Sequence, residues 1–278
     1  MRLVRFGEKG KERPGLLKYG RIVDLKKQFH DVPDIGREFF EQGWMEKLKN
    51  WTDAGVTMDV RLGPPLANPS KIICLGKNYE DHAKEGGMSV PPAPLLFCKT
   101  ANTVNGPSDP VLIPACSGQI DWEVELAVVI GKQGKRISKE KALDYVAGLM
   151  ILNDVSGREA QFGDKQWFRG KSFDTFAPMG PAIVTLDEIE DINNLELEAI
   201  VNGEVMQQGN TKDLIYDIPS IVEYISQDIT LLPGDVISTG TPSGVGIFRD
   251  PPITLKAGDK VVCRIKGLGE LENTFVTE

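Results

Sequence analysis

Residues 121–130 read Asp-Trp-Glu-Val-Glu-Leu-Ala-Val-Val-Ile, with three carboxylates at alternate positions ahead of an apolar run. A β-strand sends successive side chains to opposite faces, so Asp121, Glu123 and Glu125 share one face and Trp122, Val124 and Leu126 take the other. Carboxylates two positions apart have Cα atoms about 6–7 Å apart, close enough to converge on one ion. The apolar continuation suggests an interior strand, where like charges without a cation are costly and raise each other's pKa. A hard divalent cation resolves that conflict, and oxygen ligands favour Mg²⁺, Mn²⁺ or Ca²⁺ over Zn²⁺. An edge strand with a solvated acidic face accounts for the same spacing without a metal. Asp154, at the polar end of the run Gly148–Asn153, is a third ligand candidate; it would serve equally as N-cap of a helix over Ser156–Gln161.

The chain has two histidines. His30 lies in a polar loop pattern and reads as a surface residue. His82 follows the strand-like segment 71–75, and on a helical turn Glu85 would share its face. A carboxylate that accepts from one imidazole nitrogen makes the other a stronger base toward water, whereas a solvated histidine beside an incidental glutamate is the plain alternative. Arg158, Gln161 and Lys171 follow Asp154, and cations near a metal could bind a substrate carboxylate or a developing oxyanion. Residues 238–246, Ser-Thr-Gly-Thr-Pro-Ser-Gly-Val-Gly, form a glycine-rich loop able to offer N–H groups to an anion. It matches neither a Walker loop nor GxGxxG, so it gives nucleotide binding little support.

These residues need elements to hold them. Short β-rich runs dominate beyond residue 66: Lys71–Leu75, Leu95–Phe97, Val111–Ile113 and Trp122–Ile130. Helices are expected over Ser138–Val146, just after Asp154, and from Asp217, an N-cap with Pro219 in the first turn. Leu195–Val201 alternates apolar with mainly acidic residues and runs into Asn202-Gly203, which predicts a hairpin with a type I′ turn and one wet face. The first 65 residues read as a small α/β unit. It has strands over Met1–Phe6 and Arg21–Leu25 and a helix over about Asp34–Trp51, whose Phe40, Trp44, Leu48 and Trp51 form a packing stripe. The proline-rich stretch 63–69 marks a boundary between domains 1–65 and 66–278.

The 278 residues carry 32 basic and 40 acidic side chains, a formal charge of −8, with 41% hydrophobic and 26% charged residues. That balance fits a soluble globular chain and argues against a generic binder of nucleic acid or acidic membrane surfaces. No apolar run reaches the roughly 18 residues of a membrane span and the opening residues lack a signal core, so the expected setting is cytoplasmic. Cys74, Cys98, Cys116 and Cys263 are scattered without a CxxC pair and read as buried thiols.

Taken together, Gly76-Lys77-Asn78-Tyr79 with His82 and Glu85, the Glu123-Val124-Glu125 pair, Asn153-Asp154, Lys171-Ser172-Phe173 and Gly240-Thr241-Pro242 resemble the fumarylacetoacetate hydrolase family. The resemblance spans about residues 66–278, with the motifs in the family's order. The stretch from Pro91 through Asp121-Trp122 is similar to bacterial members that hydrolyse 2,4-diketo-3-deoxy sugar acids. It implies a β-rich α+β fold, with a mixed β-roll catalytic domain behind the small N-terminal one, and a homodimer. It also implies Mg²⁺ or Mn²⁺ on Glu123, Glu125 and Asp154, a water-activating dyad of His82 and Glu85, and Lys171 as a stabiliser of substrate charge. Arg158, Gln161 and Thr241 match positions that line the substrate site. The leading expectation is hydrolysis of a carbon–carbon bond in a 2,4-dioxo acid, a sugar-acid derivative or acylpyruvate, to pyruvate and a second acid. The same motifs serve oxaloacetate decarboxylases and isomerases, and a non-catalytic carboxylate-binding protein is the alternative from another class.

Overall fold

The protein is described from a computed structural model that covers residues 1–49, 51, 60–87, 89–115 and 117–278. Its centre is a large sheet. In spatial order the strands are Arg21–Asp24, Arg13–Lys18, Arg2–Phe6, Ala177–Val184, Val146–Asn153, Val124–Ile130, Val236–Ser238, Ile72–Gly76 and Leu95–Lys99. Most neighbours are antiparallel, but Val236–Ser238 and Ile72–Gly76 run parallel, so the sheet is mixed. A second sheet holds Glu204–Asn210, Glu196–Val201, Lys260–Ile265, Gly269–Thr277 and Val111–Ile113. The fold is β-rich α+β, as the sequence implies.

Both faces of the central sheet are covered, which explains the unbroken apolar run of its middle strand. Val124, Leu126, Val128 and Ile130 pack with Leu197, Ala199, Val261, Cys263 and Phe275 of the second sheet. Ala127 and Val129 face the other way, against a layer that includes Phe39, Phe40, Trp44 and Leu48. The stripe expected in the first 65 residues therefore does pack on the sheet. The single helix expected over Asp34–Trp51 is instead two, Arg37–Glu41 and Trp44–Lys49, because Gly43 between them adopts φ +74° and breaks the hydrogen-bond ladder. Asn50 of that stretch lies outside the described residues.

The Asn202-Gly203 hairpin forms as read, with both turn residues at positive φ and Leu197, Ala199 and Val201 buried. Asp217 caps the helix Ile218–Asp228 by accepting from the Ser220 N–H. The helix expected over Ser138–Val146 is a 3₁₀ segment, Lys139–Tyr145, and the one expected over Ser156–Gln161 starts two residues later, as Arg158–Gly163. Cys74 and Cys263 are buried free thiols, whereas Cys98 is exposed because its strand is the last of the sheet; Cys116 lies outside the described residues. Among the described residues no helix is long and apolar enough to cross a membrane.

Candidate active site

Four adjacent strands bring polar residues to one edge of the central sheet. Val124 lies opposite Asn153 in the antiparallel pair, so the start of one strand adjoins the end of the other. Asp154 N–H donates to the Glu123 carbonyl at 2.9 Å, and Glu123 N–H donates to Asn153 Oδ1 at 3.0 Å. Val236–Ser238 and Ile72–Gly76 finish at the same edge. There Glu123, Glu125 and Asp154 each present a carboxylate oxygen within 4.8 Å of the other two, and all three residues are buried. The solvated-face reading of residues 121–125 is thereby excluded, and so is the N-cap reading of Asp154, since Gly157 stands at the helix start. Asp121 shares the neighbourhood but not the cluster: it receives Arg158 Nε at 2.9 Å and the N–H groups of Gly246 and Ile247.

Charge at this edge is almost balanced. Lys171 Nζ lies 2.7 Å from Glu123 Oε2 and 2.8 Å from Asp154 Oδ2, and Lys99 Nζ lies 2.6 Å from Asp154 Oδ1. Arg158 Nη2 is 2.8 Å from both Asp121 Oδ2 and Glu123 Oε1. Three cations against four carboxylates leave one carboxyl over. It is Glu125, which among the described residues receives only neutral donors, the Ser238 hydroxyl and the Gly240 N–H. Burial pushes the Glu125 carboxyl well up, and Asp154 and Glu123 push it further. Burial also opposes ionisation of Glu123, but Lys171 and Arg158 prevail and hold it down at about 2. Burial would lower Lys171, yet Asp154 and Glu123 raise it.

A divalent cation fits this donor set. The ligands are buried carboxylate oxygens, and among the described residues the Glu125 carboxyl has no cationic partner. The sign of the pH dependence follows. A carboxyl whose pKa is raised by folding stabilises the apoprotein below its unfolded pKa, and that contribution is lost as pH rises through the folded value. Metal binding must displace the Glu125 proton. Mn²⁺ affinity is therefore expected to rise with pH above the usual carboxylate range, by up to about tenfold per unit for one released proton. Calorimetry in buffers of different ionisation enthalpy measures that release; pH-independent affinity without proton release would contradict the assignment.

His82 sits in the short helix Glu80–Glu85, directly after the turn that leaves Ile72–Gly76. It is 8% exposed, and its ring lies 6.0 Å from that of Phe248. Nδ1 is buried and has no hydrogen-bond partner among the described residues, and it lies 3.5 Å from Glu85 Oε2. The Glu85 carboxylate adjoins the imidazole as expected from sequence, but its hydrogen bonds come from the Gly244 N–H, at 3.0 and 3.1 Å. The glycine-rich loop does bind anions, and they are the protein's own carboxylates: Gly240 serves Glu125, Ser243 serves Asp81, Gly244 serves Glu85 and Gly246 serves Asp121. Only glycine suits position 244, where φ is +104° and a Cβ would fall 2.1 Å from the Met206 carbonyl oxygen.

A cavity of about 270 Å³ opens over these groups. Its lining combines polar groups, His82, Glu123, Glu125, Arg158, Gln161, Lys171 and Thr241, with apolar ones, Leu75, Phe97, Phe162, Trp167 and Phe248. Gln161 accepts from Arg158 Nη1 at 2.9 Å, and Thr241 donates to the Val124 carbonyl at 2.9 Å. Asp154 lies beneath, bonded to both lysines, and Glu85 stands behind the imidazole. Sequence reasoning missed Lys99, a side chain with no exposure that also donates to the Val155 carbonyl at 3.1 Å. A lysine closing the apolar strand Leu95–Lys99 was the available signal.

A sheet-rich α+β fold thus gathers a buried carboxylate triad, two buried lysines and one imidazole at or beside a small cavity. The chain belongs to the fumarylacetoacetate hydrolase family: the family model "Fumarylacetoacetate (FAA) hydrolase C-terminal" matches residues 71–276. It is 44% identical over 288 aligned residues to a mitochondrial oxaloacetate tautomerase of Xenopus laevis, covering 99% of this chain and 90% of the relative. Among solved structures it resembles a fumarylacetoacetate hydrolase from Exiguobacterium antarcticum, with a TM-score of 0.85, 37% identity and all of both chains covered. A maleylpyruvate hydrolase from Sphingobium sp. SYK-6 aligns at a TM-score of 0.81 and 31% identity, again over all of both chains.

Proposed function

We propose that this protein is a Mg²⁺- or Mn²⁺-dependent enzyme that interconverts the keto and enol forms of oxaloacetate. The observation that carries the reading is the single imidazole, His82, in the same cavity as the Glu123–Glu125 carboxylates. The 44% identical relative, named an oxaloacetate tautomerase, supports that substrate ahead of a sugar acid. The cavity volume, about 270 Å³, is below the roughly 300–1,000 Å³ of pockets for drug-sized ligands and suits a four-carbon acid.

A divalent cation held by Glu123, Glu125 and Asp154 would supply Lewis acidity toward the carboxylate and adjacent carbonyl of a 2-oxo acid. His82 then takes the proton from C3, and the C–H electron pair forms the C2–C3 double bond as the carbonyl electrons move to oxygen. Lys171 and Arg158 offer N–H donors to that developing charge. Return of a proton to the oxygen completes the enol, so no atom is gained or lost.

Ultraviolet absorbance of the conjugated enol tests this directly. Mn²⁺-loaded protein is expected to speed equilibration of oxaloacetate without moving its end point, and chelator-treated protein is expected to lose that effect until Mn²⁺ is restored. A second reading, hydrolysis of a 2,4-dioxo acid, is favoured by the Glu85 carboxylate beside His82 Nδ1 and by the likeness to a maleylpyruvate hydrolase. In it His82 activates water. Release of pyruvate and a second acid from acylpyruvates, with no acceleration of oxaloacetate enolisation, would replace the first reading with the second; carbon dioxide as product would mark decarboxylation. Unaltered ligands throughout would leave a carboxylate-binding protein.

A further inference from the structure

The cations closest to the carboxylate triad are already paired: Lys171 with Glu123 and Asp154, Arg158 with Asp121 and Glu123. Lys77 lines the same cavity, yet among the described residues its ammonium has no ion-pair or hydrogen-bond partner. Its backbone is in the left-handed region, φ +57°, where glycine would be the unstrained choice. The turn around it is braced by Asn78, which donates to the carbonyls of Thr239 at 2.8 Å and Tyr216 at 3.1 Å and accepts from the Tyr216 N–H at 2.9 Å. A lysine thus stands in the cavity lining on a rigid base, in a backbone conformation that disfavours a side chain, with a positive charge that no described residue neutralises.

We propose that Lys77 is a specificity-determining residue that pairs with a second carboxylate, at the far end of the substrate from the 2-oxo acid group. The inference deepens the functional reading above and rests on it for the placement of the 2-oxo end at the triad. The lining of the same cavity includes the apolar side chains Leu75, Phe97 and Trp167. A carboxylate placed against such walls without a partner pays a desolvation cost, and one ammonium in that region removes it. The site then takes dicarboxylic 2-oxo acids in preference to monocarboxylic acylpyruvates and to polyhydroxylated sugar acids.

The test compares ligands that differ only in the distal charge. Malate and lactate share a 2-hydroxy acid end, and malate alone carries the second carboxylate; oxalate reports on the triad itself. In Mn²⁺-loaded protein, Lys77→Met should weaken malate binding roughly ten- to a hundredfold, the worth of a charge-assisted hydrogen bond. Lactate and oxalate affinities should stay within about twofold, and Lys77→Arg should restore most of the malate affinity. For oxaloacetate, KM should rise by the same factor with kcat nearly unchanged. Equal loss for malate and oxalate, or malate binding untouched by the substitution, would overturn the assignment. If Lys77→Met does not fold, Lys77→Gln, which has a shorter stem and a donor without the charge, is read against Lys77→Arg in the same way. The binding comparison needs no turnover. A wild-type protein that prefers malate through Lys77 but leaves oxaloacetate unchanged sinks the tautomerase reading alone.

Discussion

His82→Ala is expected to lower kcat for oxaloacetate enolisation by about 10²–10⁴-fold, the usual contribution of a positioned general base. Mn²⁺ affinity should remain at the wild-type value, because the imidazole is no part of the carboxylate cluster. The two readouts together are what make the result informative. A base acts on the reacting proton, so its loss appears in kcat, whereas a group that merely shapes the cavity would alter KM and metal binding as well. His82 is also held by packing, with Phe248 near its ring, so His82→Gln is the companion variant that fills the space without supplying a base of suitable pKa. Full activity in either variant would remove His82 from the chemistry.

Glu125→Gln should have opposite effects on the two forms of the protein. The apoprotein should be as stable as wild type or more so, since the substitution removes the one carboxylate of the cluster that lacks a cationic partner. The hydrogen bonds from Ser238 and Gly240 can still reach the amide oxygen. Mn²⁺ affinity should fall by more than about a hundredfold, because loss of partners that only orient a ligand already costs 10–100-fold. Thermal melting with and without Mn²⁺ reads both. Wild-type affinity in Glu125→Gln would show that the ion, if any, binds elsewhere. A less stable apoprotein would mean that the charge balance drawn here is wrong.

The cluster was legible in sequence because its chemistry is local. Glu123 and Glu125 lie two apart on one strand, Asp154 ends the strand that pairs with it, and burial forces such groups to seek a cation. Lys99 was not legible. Its partner is 55 residues away and is met through the side chain, not through strand pairing, so no periodicity announces it. Strand alternation through Trp122 and Glu123 places Asp121 on the face of the two glutamates, yet it stands outside the carboxylate cluster. The chain there leaves one pairing, Ile120–Asp121 with Ser156–Gly157, before joining another at Val124. The glycine-rich loop reads as able to offer N–H groups to an anion or as a plain surface turn, and composition cannot say that the anions are Asp81, Glu85, Asp121 and Glu125. Gly43 shows the same limit at the level of helices: a hydrophobic stripe with the right period continued across a residue whose backbone ends the helix.

Continuity of the central sheet bears on how portable the chemistry is. The family match begins at residue 71, yet Ile183 and Val184 take their strand partners from Leu3 and Arg2. Cut free of the opening segment, that end of the strand would expose backbone groups ready to recruit another chain. The segment that carries the carboxylate cluster is therefore not a module that can be transplanted alone: any protein that inherits it must also inherit, or reinvent, a cover for that flank.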